Sequence, residues 1–209
     1  MIKRTILFFP VFFLVLNLYG QAPGSGGVQQ LKDALNSGNV TLTANGTGNS
    51  SGFAVNGFLK NNSRSEIRVN VIVEDGIYLL NSGAGQNMVI IQVFLSGGRY
   101  FFDNRNFFIS LAPNENTGVV FEAYCANFDL DNPSRNETFS VAPMPPGLGE
   151  IVSQISKFAA DNIDSDDDLT TAAQLALWRT QGNSKTQIAE EFGFDEEDWN
   201  LSTYILNYK

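Results

Sequence analysis

The sequence predicts an α+β fold: an antiparallel β-sandwich of seven or eight short strands carrying a C-terminal helical layer. Three observations predict it. Apolar residues alternate with polar ones between Phe53 and Tyr124, and Gly, Asn and Pro clusters punctuate that stretch at close intervals. After residue 147 the apolar spacing changes to that of helices.

Taken in order, the chain opens with Lys3 and Arg4, an apolar run from Ile6 to Leu16, and then small residues at Gly20 and Ala22. That is the layout of a secretory signal peptide, placed at 1–20, and the run falls short of the ~20 apolar residues a membrane span needs. Gln21 to Gly27 reads as a flexible leader, and 28–209 as one domain. Val28, Leu31 and Leu35 share a helical face that ends at Gly38. Ala44 to Gly52 reads as a loop or hairpin end.

The β-rich part is placed at 40–127. Phe53 to Leu59 gives a strand, followed by a turn at Asn61-Asn62-Ser63. Ile67, Val69, Val71 and Val73 alternate cleanly, and Asp75-Gly76 after them predicts a hairpin turn. Strands follow at 77–80, 88–95, 99–102, 107–111 and 119–124, a spacing that fits a sandwich or a barrel, of which the sandwich is expected. Residues 128–147 read as loop and 148–207 as helical, with helices expected near 151–159, 169–177, 184–192 and 195–206.

Charge and composition exclude several functions. Removing Lys3 and Arg4 with the signal leaves 11 basic against 22 acidic residues, shifting the net charge from −9 to −11. Such a surface repels nucleic acid and anionic membranes, so neither is an expected partner once the signal is cleaved. With no histidine anywhere, Ser-His-Asp and Cys-His catalysis are impossible within this chain. The acidic residues Asp161, Asp164 and Asp166 to Asp168 lack the pattern of a calcium loop and read as a helix start; no metal or cofactor is expected. Ser184 to Gly193 resembles the opening of a helix-turn-helix, but Asp195, Glu196, Glu197 and Asp198 would face phosphates, so two packed helices are expected.

The informative residue is Cys125, the chain's single cysteine, at the end of the Glu122-Ala123-Tyr124-Cys125-Ala126 strand. The helix Thr170 to Trp178 is apolar apart from Gln174, whose buried amide needs partners. An aromatic-Cys-apolar strand end followed by a Gln-x-x-apolar-Trp helix resembles the thioester domains of bacterial surface adhesins. The resemblance spans Phe121 to Trp178, with Ala173 standing where that family usually has threonine. It implies an internal thioester between Cys125 and Gln174, flanked by Tyr124, Leu177 and Trp178. The expected function is then exported surface capture or adhesion, acylating an amine or hydroxyl of a surface protein or glycan in a single turnover. The expected location is secreted, periplasmic or at the cell surface. The alternative is a non-covalent extracytoplasmic module, in which Cys125 is a small buried hydrophobe and Gln174 bonds a backbone group. Its ligand surface would be Tyr100, Phe101, Phe102 and Phe107.

Overall fold

The computed structural model describes residues 27–96, 101–103, 106–163 and 169–209. The signal segment, most of the leader, Tyr100 and the acidic residues from Asp164 to Asp168 lie outside the described residues. Nine strands and five helices are described: α1 (Leu31–Asn36), β1 (Val40–Gly46), β2 (Val55–Asn61), β3 (Ile67–Asn70), β4 (Ile72–Asn81), β5 (Met88–Leu95), β6 (Phe101–Asp103), β7 (Asn106–Leu111), β8 (Asn116–Cys125), β9 (Thr138–Ala142), α2 (Gly149–Asp161), α3 (Thr170–Thr180), α4 (Lys185–Glu191) and α5 (Glu196–Ile205). Antiparallel strands followed by C-terminal helices are thus present, as the periodicities predict. No helix among the described residues is long and apolar enough to cross a membrane.

The expected sandwich is not confirmed. Six strands close into a barrel in the order β1-β2-β8-β5-β4-β9, and β3, β7 and β6 form a separate three-stranded sheet. Closure depends on β9, inside the expected 128–147 loop, which pairs with β1 at Ala44–Phe139 and with β4 from Tyr78–Ala142 to Asn81–Phe139. β1 runs through Gly46, so the 44–52 segment serves as the end of the β1–β2 hairpin, one of its two expected roles.

Asp75-Gly76 does not form the expected hairpin turn. Both residues adopt the left-handed conformation, at φ 55° and 57°, but within β4, where they shift its register against β5 between Ile72 and Ile77. The same turn chemistry makes a bulge here, because β3 pairs with β7 rather than folding back on β4. Helix α2 lies against the bulge, and its Ser156 hydroxyl donates to the Val73 carbonyl at 3.0 Å. Val71 links the two sheets: its N–H donates to Phe107 and its carbonyl accepts from Val93. The free side of β3 is covered by Gln29, which exchanges main-chain bonds with Arg68 and Asn70.

Two apolar clusters hold these parts together. One contains the barrel residues Val55, Leu59, Ile90, Val93 and Phe121 and extends to Cys125, Leu175 and Trp178. The other packs Tyr78, Val89, Ile91 and Tyr124 against Ile151, Val152, Ile155, Leu177 and Ile205 of the helices. Helix α3 belongs to both, which is why every residue from Ala172 to Trp178 is buried. Arg179 ties it to α5, donating to the Trp199 carbonyl at 3.1 Å and the Thr203 hydroxyl at 2.8 Å, over the Trp199 ring. The last helix thus packs on α3, and α4 meets α5 through the Lys185–Glu196 ion pair at 2.5 Å.

Where β1, β4 and β9 meet, the Glu137 carboxylate accepts from the N–H groups of Ser134 (2.7 Å) and Gly85 (3.1 Å) and from the Asn81 amide (3.2 Å). A Cβ at Gly85 would fall 2.6 Å from Glu137 Oε2, so glycine is needed for this approach. These donors, led by Ser134 N–H and then Asn81, hold the Glu137 carboxyl below its ordinary pKa. A depressed folded value means the stabilisation is present above the ordinary carboxylate range and is lost as pH falls through the folded value. Glu137→Gln should therefore lower the urea midpoint at neutral pH, and the difference from wild type should shrink in acid. Equal midpoints across that range would refute the role.

Candidate functional site

The site is built where β8 ends. On one side, β8 pairs with β5 up to Cys125–Met88. On the other, its β2 ladder stops at Phe121–Val55, and the irregular segment ahead of β2 takes over. There Ala123 N–H donates to the Gly52 carbonyl at 2.8 Å and Cys125 N–H to the Ser50 carbonyl at 3.0 Å.

Gln174 reaches this strand end from α3. Its Oε1 accepts from Cys125 N–H at 2.8 Å, and its Nε2 donates to the Cys125 carbonyl at 2.9 Å. The carboxamide thus reads one residue's peptide groups as a neighbouring strand would. Both residues are fully buried, at 0% exposure. Gln174 is held there because α3 is buried all round from Ala172 to Trp178, so the strand end offers its amide the hydrogen bonds it would otherwise lack. The Cys125 N–H is shared between two acceptors, Ser50 O and Gln174 Oε1.

The Cys125 side chain belongs to the barrel cluster, with Sγ 3.6 Å from Met88 Sδ. Burial pushes the thiol pKa well above its ordinary value, so the sulfur is a neutral thiol at physiological pH. A free, ionised nucleophile of the redox type is therefore disfavoured.

The flanking residues divide between the two clusters. Trp178 shares the cluster of Cys125, gripped edge-to-face by Phe128 and Phe192, each at 5.2 Å between centroids. Its indole Nε1 is buried without a hydrogen-bond partner among the described residues. Tyr124 and Leu177 lie in the other cluster, and the Tyr124 hydroxyl donates to Glu122. The structure thus brings Cys125 and Gln174 together, places Trp178 behind them, and turns Tyr124 and Leu177 to the helical interface. Of the alternative aromatic surface, Phe107 is half-buried against the barrel cluster, and the side chains of Phe101 and Phe102 lie outside the described ones.

Two contributors escaped the sequence reading. Met88 carries no signal beyond being apolar in a strand, and the Ser50 and Gly52 carbonyls act through the main chain, which residue type does not reveal. Among the described residues no group of three or more Cys, Asp or Glu side chains is placed to hold a metal ion. The chain matches no protein-family model, no curated protein and no solved structure.

Proposed function

We propose that this chain is an exported surface-capture module that acylates a target amine or hydroxyl from an internal thioester between Cys125 and Gln174. The observation that carries the reading is the seating of the Gln174 carboxamide on the Cys125 peptide, its oxygen on the N–H and its nitrogen at the carbonyl.

Each contact has a use in forming the bond. Sγ leaves Met88 and adds to Gln174 Cδ, while the Cys125 N–H faces the oxygen on which negative charge develops. The Cδ–Nε2 bond then breaks, and the thiol proton leaves with Nε2 as ammonia. The proton that the neutral Cys125 thiol carries supplies the third hydrogen of the departing ammonia. In capture, a target amine or hydroxyl adds to the same carbon, the Cδ–Sγ bond breaks, and the target's proton returns to the sulfur. The product is an amide or ester at position 174 and a free thiol at 125. Apolar walls formed by Phe121, Leu175 and Trp178 exclude water, which would otherwise hydrolyse the bond.

A second reading has its own support. The two bonds of Gln174 satisfy both ends of its amide and fasten α3 to β8, while Cys125 packs on Met88. On that reading the pair is a splint inside a non-covalent binding module.

Intact mass separates the two. The capture reading expects the purified chain to weigh about 17 Da less than its sequence, the mass of one ammonia. Methylamine should turn that deficit into a gain of about 14 Da and release one thiol. A full sequence mass, with one thiol titrating on unfolding, overturns the thioester and leaves the splint.

A further inference from the structure

The Cys125–Gln174 pair is sealed from solvent, yet a captured target must reach it. What covers it on the open side of β8 is the segment between β1 and β2. Ser50 and Gly52 lie along the strand end through their carbonyls, bonded to Cys125 N–H (3.0 Å) and Ala123 N–H (2.8 Å). Gly52, at φ 70°, also sits beside the first turn of α3, where an added Cβ would meet Thr170 Cγ2 at 3.4 Å. The segment therefore bridges the elements that carry the two residues.

We propose that residues Ser50–Phe53, hinged on the buried Ala54, form a gate over the reactive pair, and that opening it both admits the target and activates the carbonyl. The inference rests on the thioester reading. Its physical basis is the shared Cys125 N–H. While the gate is shut, that donor is divided between Ser50 O and Gln174 Oε1. Lifting Ser50 away leaves the N–H to the Gln174 oxygen alone, which polarises Cδ toward attack. Closed, the bond is covered and its carbonyl under-activated; open, it is exposed and primed.

The gate is light enough to move. It has no ladder of its own, its Phe53 ring is 56% exposed, and that ring rests edge-on against Phe94 at 5.4 Å. Its ends are closed at Thr47, whose N–H donates to Ala54 O (3.0 Å) and whose hydroxyl donates to Phe53 O (3.1 Å). Arg135 Nε in turn donates to Thr47 O at 3.0 Å, reaching in from the loop before β9. These latches lie outside the reactive pair, so they can be cut without touching its chemistry.

The test uses the full mature chain with Thr47→Val and Arg135→Ala, each removing one latch. Methylamine incorporation, followed by intact mass, should run about fivefold faster in either variant, the effect of one net hydrogen bond on the opening equilibrium. Ser156→Ala, which loosens α2 from β4 far from the gate, should leave the rate unchanged. A mass deficit present in all chains, with equal methylamine rates, overturns the gate while the thioester stands. An increase in Ser156→Ala as large as in the latch variants also overturns it, since opening would then be global. Should wild type show no deficit, the thioester reading falls, and the gate is read instead by iodoacetamide on the native Cys125 thiol. Faster alkylation in the latch variants then supports opening of the segment while overturning its role in activating a carbonyl, and equal rates overturn both.

Discussion

Gln174→Ala is expected to be the most damaging single change at the site, abolishing methylamine uptake and lowering stability by about 3 kcal/mol or more. The figure follows from burial. Gln174 is fully enclosed, and truncation leaves the Cys125 carbonyl without this donor and a void beside the strand end. The Cys125 N–H suffers less, because Ser50 O remains as its acceptor. Comparison with Cys125→Ala adds a second, independent test. Both Gln174 bonds go to the main chain of residue 125, so that substitution leaves them in place and, without a covalent link, costs about 1–2 kcal/mol for the lost sulfur packing. With the thioester, the same substitution also removes a cross-link closing 49 residues (174 − 125), worth about 4 kcal/mol by loop entropy. Urea unfolding of both variants distinguishes the cases: near-equal losses, since either substitution then also forfeits the cross-link, support the bond, and a Cys125→Ala loss of about half of that for Gln174→Ala argues against it.

Gly57→Ala should unfold or severely weaken the barrel, with a loss of about 3 kcal/mol. Gly57 lies in β2 between Ala44 of β1 and Val119 of β8. A Cβ there would fall well inside van der Waals contact of the Thr43 carbonyl oxygen, and 3.1 Å from Phe121 Cε2. Neither neighbour can yield easily: one is backbone in a ladder, and the other is a fully buried ring of the core. The glycine therefore leaves the space that Phe121 fills, and β1 and β2 close over it. Thermal unfolding compared with Gly149→Ala, where an added Cβ meets nothing within 4 Å, checks the claim. A similar melting temperature for the two variants would refute it.

Much of the fold was legible because its signals are local. Val69, Val71, Val73 and the apolar run of β5 announce strands, and the helices declare themselves by their spacing. Barrel closure was not legible, and the reason is specific. It depends on the end of β1 and on β9, where Ala44-Asn45-Gly46 looks like a turn and Thr138–Ala142 sits just before Pro143 with only Phe139 buried. Without those two segments the strand spacing fits a sandwich as well as a barrel, and nothing local decides between them. Asp75-Gly76 shows the same gap differently, since a left-handed pair serves a hairpin or a bulge and only distant partners decide which. The Cys125–Gln174 contact was legible because an amide on an otherwise apolar helix demands a partner. The covering segment was not, because it acts through carbonyls that every residue type possesses.

The closed barrel also sets an order of assembly. Ala44 must find Phe139, and β4 must accept β9, before the cylinder has no free edge. A chain emerging from its amino end thus keeps β1 and β4 open until residues near 142 are free, and contacts so distant in sequence form slowly. Gln174 arrives later still, so Cys125 waits as an unescorted thiol until the helices dock. The Cys125–Gln174 contact is therefore among the last features this molecule acquires, after its scaffold is already complete.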